Sequence, residues 1–189
     1  GGYPKAFQYL AEAAGIRCTA VTGHKKDGES HVWNRVVLDS ECYYIDVTWD
    51  DPVFMIDDRF SEDRGEVFYN YFCITEDELL RTHIIDGEQN IALPQCTAVK
   101  YNYFIYHDAY LETYTLEGVA RILKTAANAA HKMAYIKFGG AEEMQLAIRE
   151  LFEKKEIFDI LAAAGCETGT ASYSRDAEHY ILTVDFGYV

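Results

Sequence analysis

The chain has 189 residues, nearly half of them apolar and 14% aromatic, with 15 tyrosines. This is a packed globular composition, long enough for one domain or one domain with an appendage, and it excludes a disordered chain. The net charge of −14 argues against nucleic acid and against an anionic membrane surface as partners. Such acidity suits cationic, lysine-bearing peptides, although solubility alone accounts for it more readily.

Five cysteines (Cys18, Cys42, Cys73, Cys96 and Cys166) are scattered without CxxC spacing. That pattern argues against a disulfide framework and against a structural zinc site. No apolar run is long enough to span a membrane, so membrane insertion is not expected. The chain opens inside what reads as a motif, and its true start is expected to lie upstream.

Residues 2–14 read as a helix with Tyr3, Phe7, Leu10, Ala11 and Ala14 as its apolar stripe, Pro4 in its first turn and Gly15 as its stop. A strand is expected over 16–22, then a polar turn punctuated by Asp27-Gly28. Ser30 to Leu38 and Cys42 onward read as a β-hairpin. A two-residue turn at Asp39-Ser40 pairs Leu38 with Glu41 and sets Trp33 opposite Asp46. His31, Trp33 and Asp46 then share a face, with His31 diagonal to Asp46 at a Cα separation of roughly 7–8 Å. A one-residue slip puts them on opposite faces.

Residues 50–66 form an acidic loop with Asp57, Asp58, Glu62 and Asp63. A calcium site is conceivable there, but the loop lacks the spaced ligands and central glycine of an EF-hand, and a solvated loop is favoured. No other cofactor and no metal is expected. Residues 67–74 read as an aromatic strand. Thr75 and Glu78 form a capping box for a short helix that ends near His83.

After Cys96 the character changes. An aromatic strand is expected over 101–106, then a helix over 116–131 with Leu116, Val119, Leu123, Ala126 and Ala130 inward. A strand over 134–138, a helix over 142–164 in one or two pieces, and a strand over 178–186 complete a β-α-β-α-β order. Ile148, Leu151, Phe152, Phe158 and Leu161 are expected to face inward on the second helix. The expected class is α+β: a helix packed on an antiparallel sheet over 1–95, and a C-terminal α/β region over 96–189 packed on it.

The hairpin carries the functional signal. An imidazole that takes a proton and a carboxylate that fixes its tautomer are two-thirds of a nucleophilic triad, and the hairpin adds an aromatic wall that excludes water. Taken singly, His31 and Asp46 are better explained as a satisfied strand-end histidine and a turn-capping carboxylate; together on one hairpin they point to chemistry. His31-Val32-Trp33-Asn34 followed by Tyr43-Tyr44-Ile45-Asp46-Val47-Thr48-Trp49-Asp50-Asp51-Pro52 resembles the core of the transglutaminase-like superfamily of papain-like cysteine enzymes. Gly2-Tyr3-Pro4-Lys5-Ala6-Phe7 with Gly15-Ile16, and Tyr71-Phe72 through His83, are similar to flanking segments of bacterial members.

The resemblance covers residues 1–95 and implies a papain-like helix-on-sheet core. In it His31 is the general base, Asp46 is its orienter, and Trp33, Trp49 and Tyr3 line the site. The family's nucleophilic cysteine begins a Cys-x-Gly-Tyr pattern; Gly2-Tyr3 match its end, which places the cysteine immediately before Gly1. None of the five cysteines present is an evident substitute. The implied activity is cysteine-dependent acyl transfer through a thioester, by a peptidase or amidase of bacterial type. Its substrate would be a peptide or an amide-linked cell-surface polymer, in an extracellular or cell-surface setting. The chain from Gly1 is expected to be inactive alone. The rival reading is a binding or scaffold module that keeps the hairpin without a nucleophile.

Overall fold

A computed structural model describes residues 2–51, 54–57, 60–62, 67–87, 94–166 and 168–187. The acidic stretch weighed as a calcium loop lies largely outside these residues. Within it only β4 (Phe54–Asp57) and β5 (Phe60–Glu62) are described, paired antiparallel. Among the described residues no helix is long and apolar enough to cross a membrane.

The architecture is α+β and divides into two compact units, Gly1–Tyr103 and Phe104–Val189. This division falls later than the change of character at Cys96. The reason is packing: Cys96, Ala98 and Tyr101 all join the apolar clusters of the first unit.

The first unit holds helix α1 (Gly2–Ala13) and a five-stranded antiparallel sheet. The strands are β1 (Arg17–Lys25), β2 (Ser30–Leu38), β3 (Glu41–Ile45), β6 (Phe72–Ile74) and β7 (His83–Ile85), in the order β6-β3-β2-β1-β7. The β2–β3 register is the expected one, with Leu38 opposite Glu41, Val37 opposite Cys42 and Arg35 opposite Tyr44. Asp39 and Ser40 have φ of 49° and 69°, as a two-residue type I′ hairpin turn requires. Neither is glycine. The Asp39 carboxylate accepts hydrogen bonds from Lys100 Nζ and the Tyr101 hydroxyl, contacts that hold the strained turn in place.

Period-two alternation gives the sheet two buried faces. Val21, Trp33 and Tyr44 with Tyr71, Ile74, Leu79 and Cys96 fill one. Val36, Tyr43 and Ile45 with Ala11 and Cys18 fill the other, under α1. Of the expected stripe, Phe7 and Ala11 face the sheet, and Tyr3, Leu10 and Ala14 do not. Pro4 and Ala11 are buried with Phe7 against the sheet, whereas Tyr3 and Leu10 are exposed. Two polar anchors set this rotation: Asn34 Nδ2 donates to Pro4 O, and Gln8 Nε2 donates to Cys18 O. Gly15, at φ 79°, ends α1, with Ile16 N–H bonded to Ala11 O and Gly15 N–H to Glu12 O, a Schellman closure.

Helix α2 (Glu76–Leu79) has the expected capping box between Thr75 and Glu78. It stops before His83, which instead opens β7 and pairs with Lys25 of β1. The expected strand over 67–74 shortens to β6.

The second unit holds β8 (Tyr110–Leu111), α4 (Leu116–Asn128), β9 (Met133–Phe138), α5 (Ala141–Ile148), α6 (Glu156–Ala162), β10 (Ser172–Asp176) and β11 (Ile181–Asp185). Its sheet runs β10-β11-β9-β8, with β8–β9 parallel and the other pairs antiparallel. The expected aromatic strand at 101–106 is a short helix, α3 (Tyr103–Tyr106). Its aromatic content fits either state. The chain closes there because Asp108, at φ 56°, turns left-handed and Ala109 N–H bonds Phe104 O. The buried side of α4 is Val119, Ile122, Leu123 and Ala127, with Leu116 exposed. After α5 a π-helical turn (Arg149–Glu153) intervenes before α6, and Ile157 and Ile160 take the buried places expected for Phe158.

Candidate active site

Asp46 follows the last ladder residue of β3 and is wholly buried. A carboxylate there must have every lone pair engaged. Its Oδ1 accepts the backbone N–H groups of Thr48 (3.0 Å) and Trp49 (3.3 Å). Its Oδ2 receives two imidazoles, His31 Nε2 at 2.5 Å and His83 Nε2 at 3.1 Å. Burial alone would push the Asp46 carboxyl up. The hydrogen bonds and charge of His31 and His83 outweigh it and hold the carboxyl below its ordinary value. An ionised carboxylate only accepts, so both Nε2 atoms carry the proton of their hydrogen bond.

His31 lies near the start of β2, two residues before Trp33 on the same face, as the hairpin register requires. Its side chain is 13% exposed, against 0% for Asp46 and His83. With Nε2 held by Asp46, proton exchange at His31 must use Nδ1. The ring stands at a cavity of about 510 Å³ whose wall includes Tyr3 and Pro4 from the start of α1, with Thr22, Gly23, Ser30, Thr48 and Asp86. The first turn of α1 and the partly exposed imidazole therefore line the same space.

The aromatic residues divide their work. Trp33 is wholly buried and backs His31 from inside the core, its ring 6.0 Å away and stacked. Trp49 is half-buried, with ring centroids 5.7 Å from His31 and 4.7 Å from His83. Tyr3 lies on the cavity wall. Of the three residues expected to line the site, Tyr3 lies on the cavity wall, and the rings of Trp33 and Trp49 pack against the imidazoles.

His83 is the residue that sequence reasoning left out. It sits 37 residues from Asp46 in the chain, and no spacing rule connects them. The available signal was local: His83-Ile84-Ile85 ends in two β-branched residues, a strand signature rather than a helix end. The ring is caged by Trp33, Trp49 and Tyr71, with centroids 4.8, 4.7 and 5.5 Å away. Its Nδ1 faces the Thr82 hydroxyl at 2.8 Å, and the Tyr71 hydroxyl reaches Thr82 Oγ1 at 3.4 Å. In a neutral His83 the Thr82 hydroxyl donates to Nδ1, which completes a chain Tyr71–Thr82–His83–Asp46–His31. Asp50, also buried, accepts the Tyr71 backbone N–H and so fixes Tyr71 against Trp49 and His83.

The cage also explains one glycine. A Cβ on Gly23 would stand 2.1 Å from Ile84 O and 2.5 Å from the Trp33 ring. Only glycine lets β7 and the Trp33 indole approach β1 this closely.

His31, Asp46 and His83 offer two imidazole nitrogens and one carboxylate oxygen within 4.8 Å of one another, a donor set that suits zinc or iron in kind. Around a tetrahedral ion with bonds of about 2.0–2.2 Å, donors stand roughly 3.3 Å apart. Here His31 Nε2 and Asp46 Oδ2 are 2.5 Å apart, drawn together by a hydrogen bond. Compared with known proteins, the chain matches no family model and no curated protein.

Proposed function

We propose that the first unit is the base-and-carboxylate part of a thiol-dependent acyl-transfer site built on a papain-like, transglutaminase-like core. The observation that carries the reading is the 2.5 Å bond from His31 Nε2 to a buried, fully engaged Asp46. Nε2 is thereby engaged, and His31 lines a cavity that the first turn of α1 also lines.

In this reading the nucleophile is a cysteine immediately before Gly1, at the N-terminal end of α1. A thiolate there gains from the helix dipole and from a protonated imidazole. His31 takes the thiol proton at Nδ1 while Asp46 holds Nε2–H and stabilises the imidazolium. The thiolate attacks an amide carbonyl, His31 returns the proton to the leaving amine, and water or an amine resolves the thioester. The Asp46 carboxylate is buried beside the buried His83, so its orientation does not depend on solvent. Peptides or amide-linked cell-surface polymers are the favoured substrates, and hydrolysis is favoured over cross-linking. Both preferences rest on the sequence resemblance.

The test is a protein extended upstream through the residue before Gly1. The expected result is amine release from amide substrates that alkylation of that cysteine abolishes, while the chain from Gly1 releases none. A cysteine-bearing extended protein with no thiol-dependent turnover overturns the proposal. A residue other than cysteine at that position supports the alternative, a binding or scaffold module.

A further inference from the structure

Away from the site, the same sheet face carries a buried cation beside two thiols. Arg35 of β2 is only 8% exposed. Cys42 of β3 lies diagonally across the ladder from it, because Arg35 is opposite Tyr44 and Val37 is opposite Cys42. The segment 94–96 covers both. Arg35 Nη2 donates to Pro94 O at 3.1 Å, and Cys42 Sγ donates to Gln95 O at 3.4 Å. The next residue is Cys96, whose carbonyl anchors the start of α2 through Glu76 N–H. Cys42 packs against the apolar cluster that holds Cys96, and the Arg35 guanidinium interacts electrostatically with both thiols.

Among the described residues no carboxylate stands against this guanidinium, and its Nε is buried without a hydrogen-bond partner. A buried cation without a counter-anion is costly. The sulfur groups beside the guanidinium are the two thiols, and a guanidinium stabilises the negative charge that develops as a thiol reacts. Of the five cysteines, Cys42 alone is not buried. Burial pushes the Cys96 thiol up to about 12, so Cys96 stays protonated in the resting protein.

We propose that Cys42 and Cys96 form a peroxide-reactive dithiol, in which Cys42 meets the oxidant and Cys96 closes a disulfide on it. The Cys42 sulfur attacks one peroxide oxygen, the O–O bond breaks, and the departing hydroxide takes up the thiol proton as water. This leaves Cys42 as a sulfenic acid. The Cys96 sulfur then attacks the Cys42 sulfur, the S–O bond breaks, and hydroxide leaves with the Cys96 proton as a second water. Two thiols and one peroxide become one disulfide and two waters. The bridge would tie β3 to the segment that precedes α3, and the process needs neither the proposed nucleophile nor the cavity at His31.

The experiment uses the folded chain from Gly1 to Val189 with hydrogen peroxide at neutral pH, followed by thiol counting in denaturant and non-reducing peptide mapping. The expected result is a loss of two of the five thiols and a single intramolecular Cys42–Cys96 cross-link. In Cys96→Ser, Cys42 should stop at a sulfenic acid that a cyclic 1,3-diketone traps. In Arg35→Gln, loss of the first thiol should slow severalfold. If that variant does not fold, mapping of the unsubstituted chain decides alone. Retention of all five thiols under peroxide that consumes free cysteine overturns the proposal. So does a bridge to any other cysteine or between chains.

Discussion

Asp46 in the first unit and Asp176 in the second engage their oxygens in the same way. Each Oδ1 accepts the backbone N–H groups two and three residues ahead: Thr48 and Trp49 for one, Glu178 and His179 for the other. Each Oδ2 receives an imidazole, from His31 and His83 at Asp46 and from His179 at Asp176. In both, burial would raise the carboxyl and the histidine hydrogen bonds bring it below its ordinary value. The chemistry differs in reach. His179 is three residues from its partner, inside the turn joining β10 to β11, and its side chain has no exposure. His31 comes from the preceding strand, 15 residues away, and its ring reaches a cavity. A carboxylate–imidazole bond is therefore a turn lock when the partners are local and the imidazole has no exposure. It becomes a candidate site when the imidazole comes from a distant strand and lines a cavity.

The sharpest way to break this comparison is kinetic. In the extended, thiol-bearing protein, Asp46→Asn should lower amine release by on the order of 10³–10⁴-fold, since the tautomer of His31 is lost. Asp176→Asn should leave the rate essentially unchanged. Equal losses would erase the distinction between lock and site.

Stability is the next measure. Asp46→Ala strands two imidazoles in the core and should cost about 3–5 kcal/mol in urea unfolding. Asp176→Ala strands one histidine and two turn N–H groups and should cost about 1–3 kcal/mol. A smaller loss at Asp46 would mean that His31 and His83 find other partners.

Glycine substitutions sharpen the packing side. Gly23→Ala drives a methyl into Ile84 O and Trp33, and Gly139→Ala drives one to within 2.4 Å of Glu112 O. Each should cost about 1–3 kcal/mol by thermal unfolding. Gly23→Ala alone should also change the Trp fluorescence, because Trp33 must move.

The smallest effect is the acid response. Both carboxyls titrate lower in the folded chain than unfolded, so their stabilisation is full above the unfolded value of about 3.9. It is lost as pH falls through the lower folded value. The urea midpoint should accordingly drop below about pH 4. Asp176→Asn and Asp46→Asn should each flatten that drop, and a midpoint rising toward low pH would contradict the assigned sign.

Much of the first unit was legible in the chain because it is local. Ser30–Leu38 and Glu41–Ile45 alternate with period two about a two-residue turn, and that turn pins the register. The capping box at Thr75 and Glu78 is likewise a contact over three residues. Where the reading failed, a distant group decided. The rotation of α1 depends on Asn34 and Gln8 reaching backbone carbonyls 30 and 10 residues away. No helical periodicity encodes those bonds, and they outweigh the apolar stripe of Tyr3 and Leu10.

The sequence by itself determined the hairpin, and with it the facing of His31 and Asp46, because strand alternation and turn geometry act between near neighbours. Only the tertiary structure decided that β7 closes the sheet against β1 and that His83 becomes the second imidazole on Asp46. That pairing closes a long loop and yields its hydrogen bonds only once the Trp33, Trp49 and Tyr71 cage has assembled. No short stretch of the chain contains the contacts that stabilise it.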